Sequence, residues 1–531
     1  MPDAKSSSPP THADTANATP PTTEVYAVHG VEPEVQAYAM AKYSRSSLSM
    51  KESLREINEQ KAEKFLNTFY FQYGHRSIAD LAHIALAIEK LSLLAAIAVV
   101  DEQRWDGQER STRYQDFKKG LYYVPDFGGD AQLEQSYRDA AGTLFVEYEV
   151  LSEGMWRHLA DRTPRPPDMK PEAYERTLRA RAFDISRYLL PLATNTSLGQ
   201  IVNARTLESQ VARLLSSDYE EIRRLGEALK RAANEPAYNV SHDKLRMFVE
   251  ELKGYDEGLG REAYEMLLRP VRVAPTLVKY ADASAYEMQA RTELRAAAAE
   301  LMGPVAIQAA PAVELLADDS VEIELAATLL YPYCHHPYRQ VRECVEAMGE
   351  KRRAEIIALG LKHRSRHDEL PRTFAAGQAF RFDILMDIGG FRDMHRHRRC
   401  IQIGQEFTTA HGFDTPDEVV AAGVKERYER VMRATADACA AIEGRLQKAG
   451  DKECAEKSRY LIPLAYRKRT LFKMDLAEAV YISELRTTPA GHVSYRRVAY
   501  AMYEEVVRRH PALAPCFRVY DIHEPVDLLK R

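Results

Sequence analysis

Apolar residues recur at three- and four-residue steps over 132–159, 172–190, 207–233, 287–301 and 416–449, and these segments are predicted as helices. Strand patterns are few and short, at 24–29, 276–280 and 516–522. The balance predicts a helix-rich α+β protein with a small antiparallel sheet. The most apolar stretch, 81–100, is interrupted by His83, Glu89 and Lys90. A charged pair at its centre predicts a buried core helix rather than a membrane span. Residues 1–22 are rich in Ser, Thr, Pro and Ala and hold no apolar run, which predicts a disordered tail and not a signal peptide. The expected setting is the cytoplasm.

The pattern also repeats. Arg187-Tyr-Leu-Leu-Pro-Leu192 returns as Arg459-Tyr-Leu-Ile-Pro-Leu464, 272 residues later (187 to 459), each after one long helix pattern and before another. The openings echo as well: Val25-Tyr-Ala-Val28 before Pro33-Glu34, and Leu277-Val-Lys-Tyr280 before Asp282. Two echoes in the same order, spaced by about half the chain, indicate duplication into two domains rather than a solenoid. The expected division is a tail over 1–22, a first domain over 23–270 and a second over 271–531.

Charge and cysteine content narrow the function. The 531 residues carry 73 Lys+Arg against 78 Asp+Glu, a net charge of −5, which argues against a general nucleic-acid-coating protein. Six cysteines include no C-x-x-C pair. Cys334-His335-His336 is a lone cluster whose three consecutive side chains cannot share one metal on regular structure, so it reads as loop or core and no metal is expected. G-x-G-x-x-G after a strand, a Walker A loop, G-x-S-x-G and H-E-x-x-H are all absent.

Three segments carry candidate chemistry. Arg396-His397-Arg398-Arg399, preceded by Arg392 and His395, is the densest cationic run, and it emerges from the apolar, glycine-containing stretch 384–390. Two guanidinium groups flanking an imidazole make a clamp for phosphate or pyrophosphate oxygens; a solvated helix face is the plainer alternative. In Glu109-Arg-Ser-Thr-Arg-Tyr114, Ser111 and Arg113 point to one side of an extended segment, as a phosphate-holding pair would, or else form a turn with a surface arginine. In Gly74-His-Arg-Ser-Ile-Ala-Asp80, Ser77 and Asp80 read as a capping box at a helix start, which is also an anion-friendly terminus.

Together these segments resemble the flavin-dependent thymidylate synthase family, whose signature is R-H-R, seven residues, then Ser-x-Arg-Tyr, with a Gly-His-x-Ser helix start upstream and Leu-Pro, Val-Asn-Ala-Arg-x-Leu and Asn-Leu-Arg downstream. Each half resembles one copy, over roughly 24–230 and 276–522. The first half has Gly74-His75-Arg76-Ser77, Glu109, Ser111-Thr112-Arg113-Tyr114, Leu190-Pro191 and Val202-Asn203-Ala204-Arg205-Thr206-Leu207, but Asp101-Glu102-Gln103 stands where R-H-R should begin and Ala212-Arg213-Leu214 where Asn-Leu-Arg should be. The second half has Arg396-His397-Arg398 and Glu484-Leu485-Arg486, with Glu406 in the serine place and Met474-Asp475-Leu476-Ala477 for Val-Asn-Ala-Arg. Arg469 and Arg496 fall where the family carries nucleotide-binding arginines, and Arg223 is the first-half counterpart of Arg496.

The resemblance implies reductive methylation of dUMP to dTMP, with methylenetetrahydrofolate and NADPH as co-substrates and FAD as cofactor. It implies FAD binding by Arg396, His397, Arg398 and Arg486, with Ser77 and Arg76 reaching in from a first half. It implies dUMP binding by Glu109, Ser111, Thr112, Arg113, Arg223, Arg469 and Arg496, of which Ser111, Arg113 and Arg496 would be catalytic. Because family sites draw on several subunits, it also implies a homodimer equivalent to four family subunits, with one composite site per chain. A relative acting on another pyrimidine nucleotide or folate, and a degenerate nucleotide-binding or scaffolding protein, stay open as alternatives. Neither nucleic acid nor a membrane is an expected partner.

Overall fold

The computed structural model describes residues 30–42, 51–52, 54, 76–117, 121–316, 321–364, 371–374, 380–511, 514 and 517–529. Three antiparallel strands, β1 (His83–Ser92), β2 (Asp106–Glu109) and β3 (Asn195–Asn203), form one sheet in the order β1-β3-β2. Four more, β4 (Val313–Leu315), β5 (Phe380–Asp387), β6 (Ile401–Gly404) and β7 (Arg467–Met474), form a second in the order β4-β5-β7-β6. With β4 set aside, both sheets place their last strand between the other two.

The joints repeat too. β1 runs into the helix Leu93–Val100, capped by Ser92, whose Oγ accepts from Ala95 N (2.9 Å). β5 runs likewise into Ile388–Met394, capped by Asp387, which accepts from Gly390 N (2.6 Å). β3 and β7 lead into Ala204–Leu215 and Leu476–Arg486, capped by Asn203 and Asp475, each accepting at 2.8 Å from the amide three residues on. Each cap satisfies an amide that the helix itself cannot. The molecule is a duplicated, helix-rich α+β fold.

The two copies of the repeated hexapeptide meet at the centre. Leu192 N donates to Ile462 O (2.9 Å) and Leu464 N to Leu190 O (3.0 Å); Ala193 N donates to Tyr460 O (2.7 Å) and Ala465 N to Tyr188 O (3.1 Å). Each bond maps onto its counterpart when the halves exchange, which is the reciprocity of an isologous twofold contact. One apolar core runs through this junction and joins Leu189, Leu190 and Leu192 to Leu461, Ile462 and Leu464. A smaller core lies under the outer face of the second sheet, around Leu329, Tyr331, Val341 and Leu471.

Several sequence expectations need correction. Residues 81–100 divide between a strand, His83–Ser92, and the expected buried helix, which is confined to Leu93–Val100: in the strand Ile84, Leu86 and Ile88 recur every second residue, and the intervening alanines fill the other face and mask the two-residue period. Lys90, at φ 62°, is the extra residue of a bulge between Glu89 and Leu91, so the charged pair sits at a kink and not on a helix. The segment 207–233 is two helices, Ala204–Leu215 and Glu220–Asn234. The segment 416–449 breaks at Gly423 (φ 71°) into Asp417–Ala421 and Lys425–Lys448. Residues 276–280 form turns and not a strand, because the buried Glu34 carboxylate takes the amides of Thr276 (2.8 Å) and Leu277 (2.6 Å) that a ladder would have used. Residues 517–522 are irregular; the expected strand 24–29 and the tail 1–22 lie outside the described residues.

Asp387 gives a pH signature. It is fully buried, and burial together with the Asp414 charge pushes its carboxyl up to about 6. A carboxyl raised above its unfolded value of ~3.9 stabilises the fold fully below that value and loses the contribution as pH rises through the folded pKa. Asp387→Asn keeps an acceptor for Gly390 N. Urea unfolding should therefore show the variant more stable than wild type by ~1–3 kcal/mol at pH 8, with the gain gone near pH 4.

Candidate functional site

The cationic run occupies the turn between the helix Ile388–Met394 and β6. His397 is buried and holds the turn together: its carbonyl accepts from Gln402 Nε2 and Cys400 Sγ (both 2.9 Å). Its Nε2 accepts from Arg486 Nε (2.7 Å), which leaves Nδ1 facing Glu478 Oε1 at 3.6 Å. Burial lowers the imidazole pKa against the pull of Glu478, so the ring is neutral and serves as an acceptor for Arg486. Arg396 and Arg398 project from either side. Arg396 is exposed and makes no ion pair with a described residue. Arg398 lies over the Trp105 ring of the first half (4.5 Å), and its buried Nε has no partner. Burial pulls this guanidinium below its ordinary value, as befits a cation without a carboxylate at contact.

The first half supplies the facing wall. Trp105 Nε1 donates to Gln200 Oε1 (2.7 Å), and the indole folds over Gly107, where a Cβ would meet the ring at 2.6 Å and Gly199 O at 2.3 Å. Beyond it, Glu109 pairs with Arg392, and Thr112 Oγ1 accepts from Arg392 Nη1 (3.4 Å). Arg113 crosses between the halves. Its Nε and Nη2 hold Asp184 (2.5 and 2.9 Å), Nη1 donates to Tyr495 Oη (3.0 Å), and Nη2 reaches Ala490 O (3.2 Å). Burial alone would lower this guanidinium; the Asp184 hydrogen bonds outweigh it and raise the pKa, while they hold the buried Asp184 carboxyl at about 2. Arg187, buried, pairs with Asp393 (3.4 Å). Arg486 stands over the Tyr495 ring on the side of the cationic turn (5.4 Å).

The structure thus brings Glu109, Thr112 and Arg113 to the second half, beside Arg392, Asp393, Arg486 and Tyr495. Ser111 stands on this wall, its Oγ accepting from Arg113 N (3.2 Å). Arg496 is buried at the start of the last helix with Nε on Thr487 O (3.0 Å) and no carboxylate among the described residues. Arg469 lies elsewhere, on β7 against Asp383 (2.9 Å), which also accepts from Tyr331 Oη (2.7 Å); among the described residues no hydrogen bond or ion pair joins it to Ser111 or Arg113. Arg223 is spent on Ser217 O, Asp218 O and Glu453. Ser77 is exposed within a 3-10 turn, Arg76–Leu81, so the expected capping box is not formed, and Asp80 instead faces Arg104 and Arg205. The Arg76 side chain lies outside the described residues.

The pseudo-symmetric positions are neutralised. Asp101 binds Arg372 (2.5 Å) and Glu102 binds Arg213 (2.8 Å). Glu406 is held by Arg295 (2.8 Å) and Arg459. Asp101, Glu102, Arg372, His395 and Arg398 line one small cleft at the junction of the halves. No group of His, Cys, Asp or Glu among the described residues could hold a metal, and no helix among them is long and apolar enough to cross a membrane. Sequence reasoning missed Trp105, Asp184 and Arg372, each a lone residue whose partner is distant in the chain, and it named Arg392 only with the cationic run, without its partner Glu109.

Residues 28–237 and 314–512 match the description of the thymidylate synthase complementing protein family, one segment in each half and together most of the chain. The chain belongs to this family. It is 26% identical over 543 residues to a UPF0159 protein of Chlamydia pneumoniae, covering 96% of this chain and 93% of that one. A UPF0159 protein of Thermoplasma acidophilum is 25% identical over 526 residues, with 91% and 94% covered. The flavin-dependent thymidylate synthase of Clostridium tetani is 26% identical over 187 residues, 33% of this chain and 67% of that one. Among solved structures, the flavin-dependent thymidylate synthase ThyX of Helicobacter pylori, complexed with FAD and dUMP, aligns with a TM-score of 0.23 and 16% identity over 38% of this chain and 89% of that one. Membership places the chain among flavin-dependent thymidylate synthase relatives, and the repeated sheet order agrees with a family domain present twice.

Proposed function

We propose that the chain is a cytoplasmic flavin-dependent thymidylate synthase with one composite site, which converts dUMP to dTMP with methylenetetrahydrofolate and NADPH. The observation that carries this reading is the charge balance. At the second-half turn Arg396 and Arg398 have no carboxylate at contact, whereas the carboxylates of Asp101, Glu102 and Glu406 at the pseudo-symmetric positions are bound to arginines. A dinucleotide pyrophosphate needs free, charge-assisted donors, and the partnerless Nε of Arg398 beside the exposed Arg396 fits one.

When bound, FAD supplies the hydride chemistry. The chain's own residues hold and orient. Arg396 and Arg398 take the anionic end, with Ser77 and Arg76 contributing from a first half. His397 fixes the angle of Arg486 through the 2.7 Å bond. Ser111 and the open end of Arg496 offer donors to the nucleotide, with Arg113, Thr112 and Glu109 shaping the wall between them. Arg469 and Arg223 belong to this reading only through contacts with a second copy, and a homodimer would supply the four family domains.

One observation favours a second reading: every terminal nitrogen of Arg113 is already engaged by Asp184, Tyr495 or Ala490. That altered nucleotide wall suits a relative acting on another pyrimidine nucleotide or folate. The test is tritium release from 5-labelled dUMP by the flavin-loaded protein, with calorimetric titration of dUMP. Release and one dUMP per chain are expected. A yellow protein that neither binds dUMP nor releases tritium would favour the second reading, and a colourless protein that takes up no FAD would overturn both.

A further inference from the structure

Trp105 stands just past Asp101-Glu102-Gln103, where the first half lacks a cationic run of its own, and directly before β2. The indole is 4% exposed and is held by a chain of buried amides. Its Nε1 donates to Gln200 Oε1 (2.7 Å), Gln200 Nε2 donates to Gln210 Oε1 (2.9 Å), and Gln210 Nε2 donates to Val99 O (2.8 Å). The two amides also pair in return, Gln210 Nε2 to Gln200 Oε1 (3.2 Å). The chain thereby fixes the indole to β3 and to the helices Ala204–Leu215 and Leu93–Val100. Gly107 lets the six-membered ring lie against the strand backbone, since a Cβ there would meet Cη2 and Cζ2 at 2.6 Å. A buried network whose members are all satisfied rigidifies the group that it holds.

This fixed indole meets Arg398 of the second half, whose guanidinium carbon lies 4.5 Å from the ring centroid. Stacking on an aromatic face uses none of the five N–H groups, which lie in the guanidinium plane. Nε is buried and partnerless, and no ion pair joins the group to Asp106, the carboxylate whose charge acts on it, or to another described residue. An arginine on a turn with no such support must be immobilised by its ligand. That ordering lowers affinity roughly 2–12-fold for one long side chain. Trp105 has already restrained Arg398 before any ligand arrives, and it leaves the donor edge open.

We propose that Trp105 is a positioning residue of the flavin site: the first half, without a cationic clamp, supplies an aromatic platform that presents Arg398 of the second half to a pyrophosphate. The inference rests on the flavin reading above. FAD titration, followed by flavin fluorescence, compares wild type, Trp105→Leu, Arg398→Ala and the double variant. Trp105→Leu should weaken FAD binding roughly 3–10-fold. In the Arg398→Ala background the same substitution should change it less than ~1.5-fold, because the platform acts only through the arginine. Trp105→Tyr keeps a ring face and should bind FAD within ~2-fold of wild type. A tryptophan that merely fills the core would lower affinity by one factor in both backgrounds. That outcome, an unchanged affinity in Trp105→Leu, or a Tyr variant as weak as the Leu variant would each overturn the proposal. A further readout leaves Trp105 in place and so does not depend on how its variants fold. In Trp156→Phe, Trp105 is the sole tryptophan. Adding Arg398→Ala should move its emission to the red as water reaches the uncovered face, and an unmoved spectrum would overturn the stack. A wild-type protein that takes up no FAD would overturn the flavin reading and this role with it, whereas loss of the coupling to Arg398 in a protein that binds FAD would overturn the role alone.

Discussion

Replacing Arg396 and Arg398 together by alanine should yield a protein that no longer retains flavin, with an unchanged far-UV CD spectrum. Both side chains extend away from the core, one exposed and one stacked on Trp105, and neither closes an ion pair, so their removal leaves no buried charge behind. Hydrogen bonds to charged groups contribute ~1.5–3 kcal/mol each, so losing two should weaken FAD binding by roughly two to four orders of magnitude. Flavin absorbance after desalting, and fluorescence titration of FAD into the variant, read the effect directly. Stoichiometric flavin in the double variant would place the cofactor elsewhere. Arg399→Ala is the natural control, since Arg399 is exposed and its surface pair with Asp475 (2.9 Å) contributes little.

Arg113→Ala should act on stability. Its guanidinium is the bidentate partner of the buried Asp184 and also ties Tyr495 and Ala490 of the second half to the first. Breaking a buried pair by removing one member costs ~3–5 kcal/mol, because the remaining carboxylate is left uncompensated. The pH dependence follows from Asp184, held at about 2 in the fold. A carboxyl depressed below its unfolded value of ~3.9 contributes stability above that value and loses it as pH falls through the folded pKa. The deficit of the variant against wild type should therefore be full at pH 7 and shrink towards pH 2–3, measured as the urea midpoint. A deficit that is small at pH 7 would show that the network around Asp184, Arg187 and Asp393 closes without Arg113.

The two substitutions separate roles that the sequence places side by side. Both arginines sit in family motifs, yet Arg398 has a partnerless nitrogen and Arg113 has none to spare among its terminal nitrogens. An arginine that is already bidentate to a carboxylate must give up that pair to bind a phosphate, so Arg113 shapes the wall before it touches any ligand.

The sequence by itself determined the helical character of 132–159, 172–190 and 287–301, because long amphipathic periods are local properties of the chain. It determined the duplication, because the hexapeptide at 187–192 and its copy at 459–464 carry the junction in their own residues. It also marked the cationic turn at 396–398 and the family. The tertiary structure alone decided that His83–Ser92 is a strand, since alanine on the second face fits either period and only pairing with Asn195–Asn203 selects one. It alone decided which arginines are free. The partners that neutralise the others stand far off in the chain: Asp101 lies 271 residues from Arg372, Glu109 283 from Arg392 and Asp184 71 from Arg113. No local pattern encodes those distances. Only folding one copy against the other places a carboxylate on one arginine and leaves its neighbour bare, because charge compensation depends on separation in space and not along the chain.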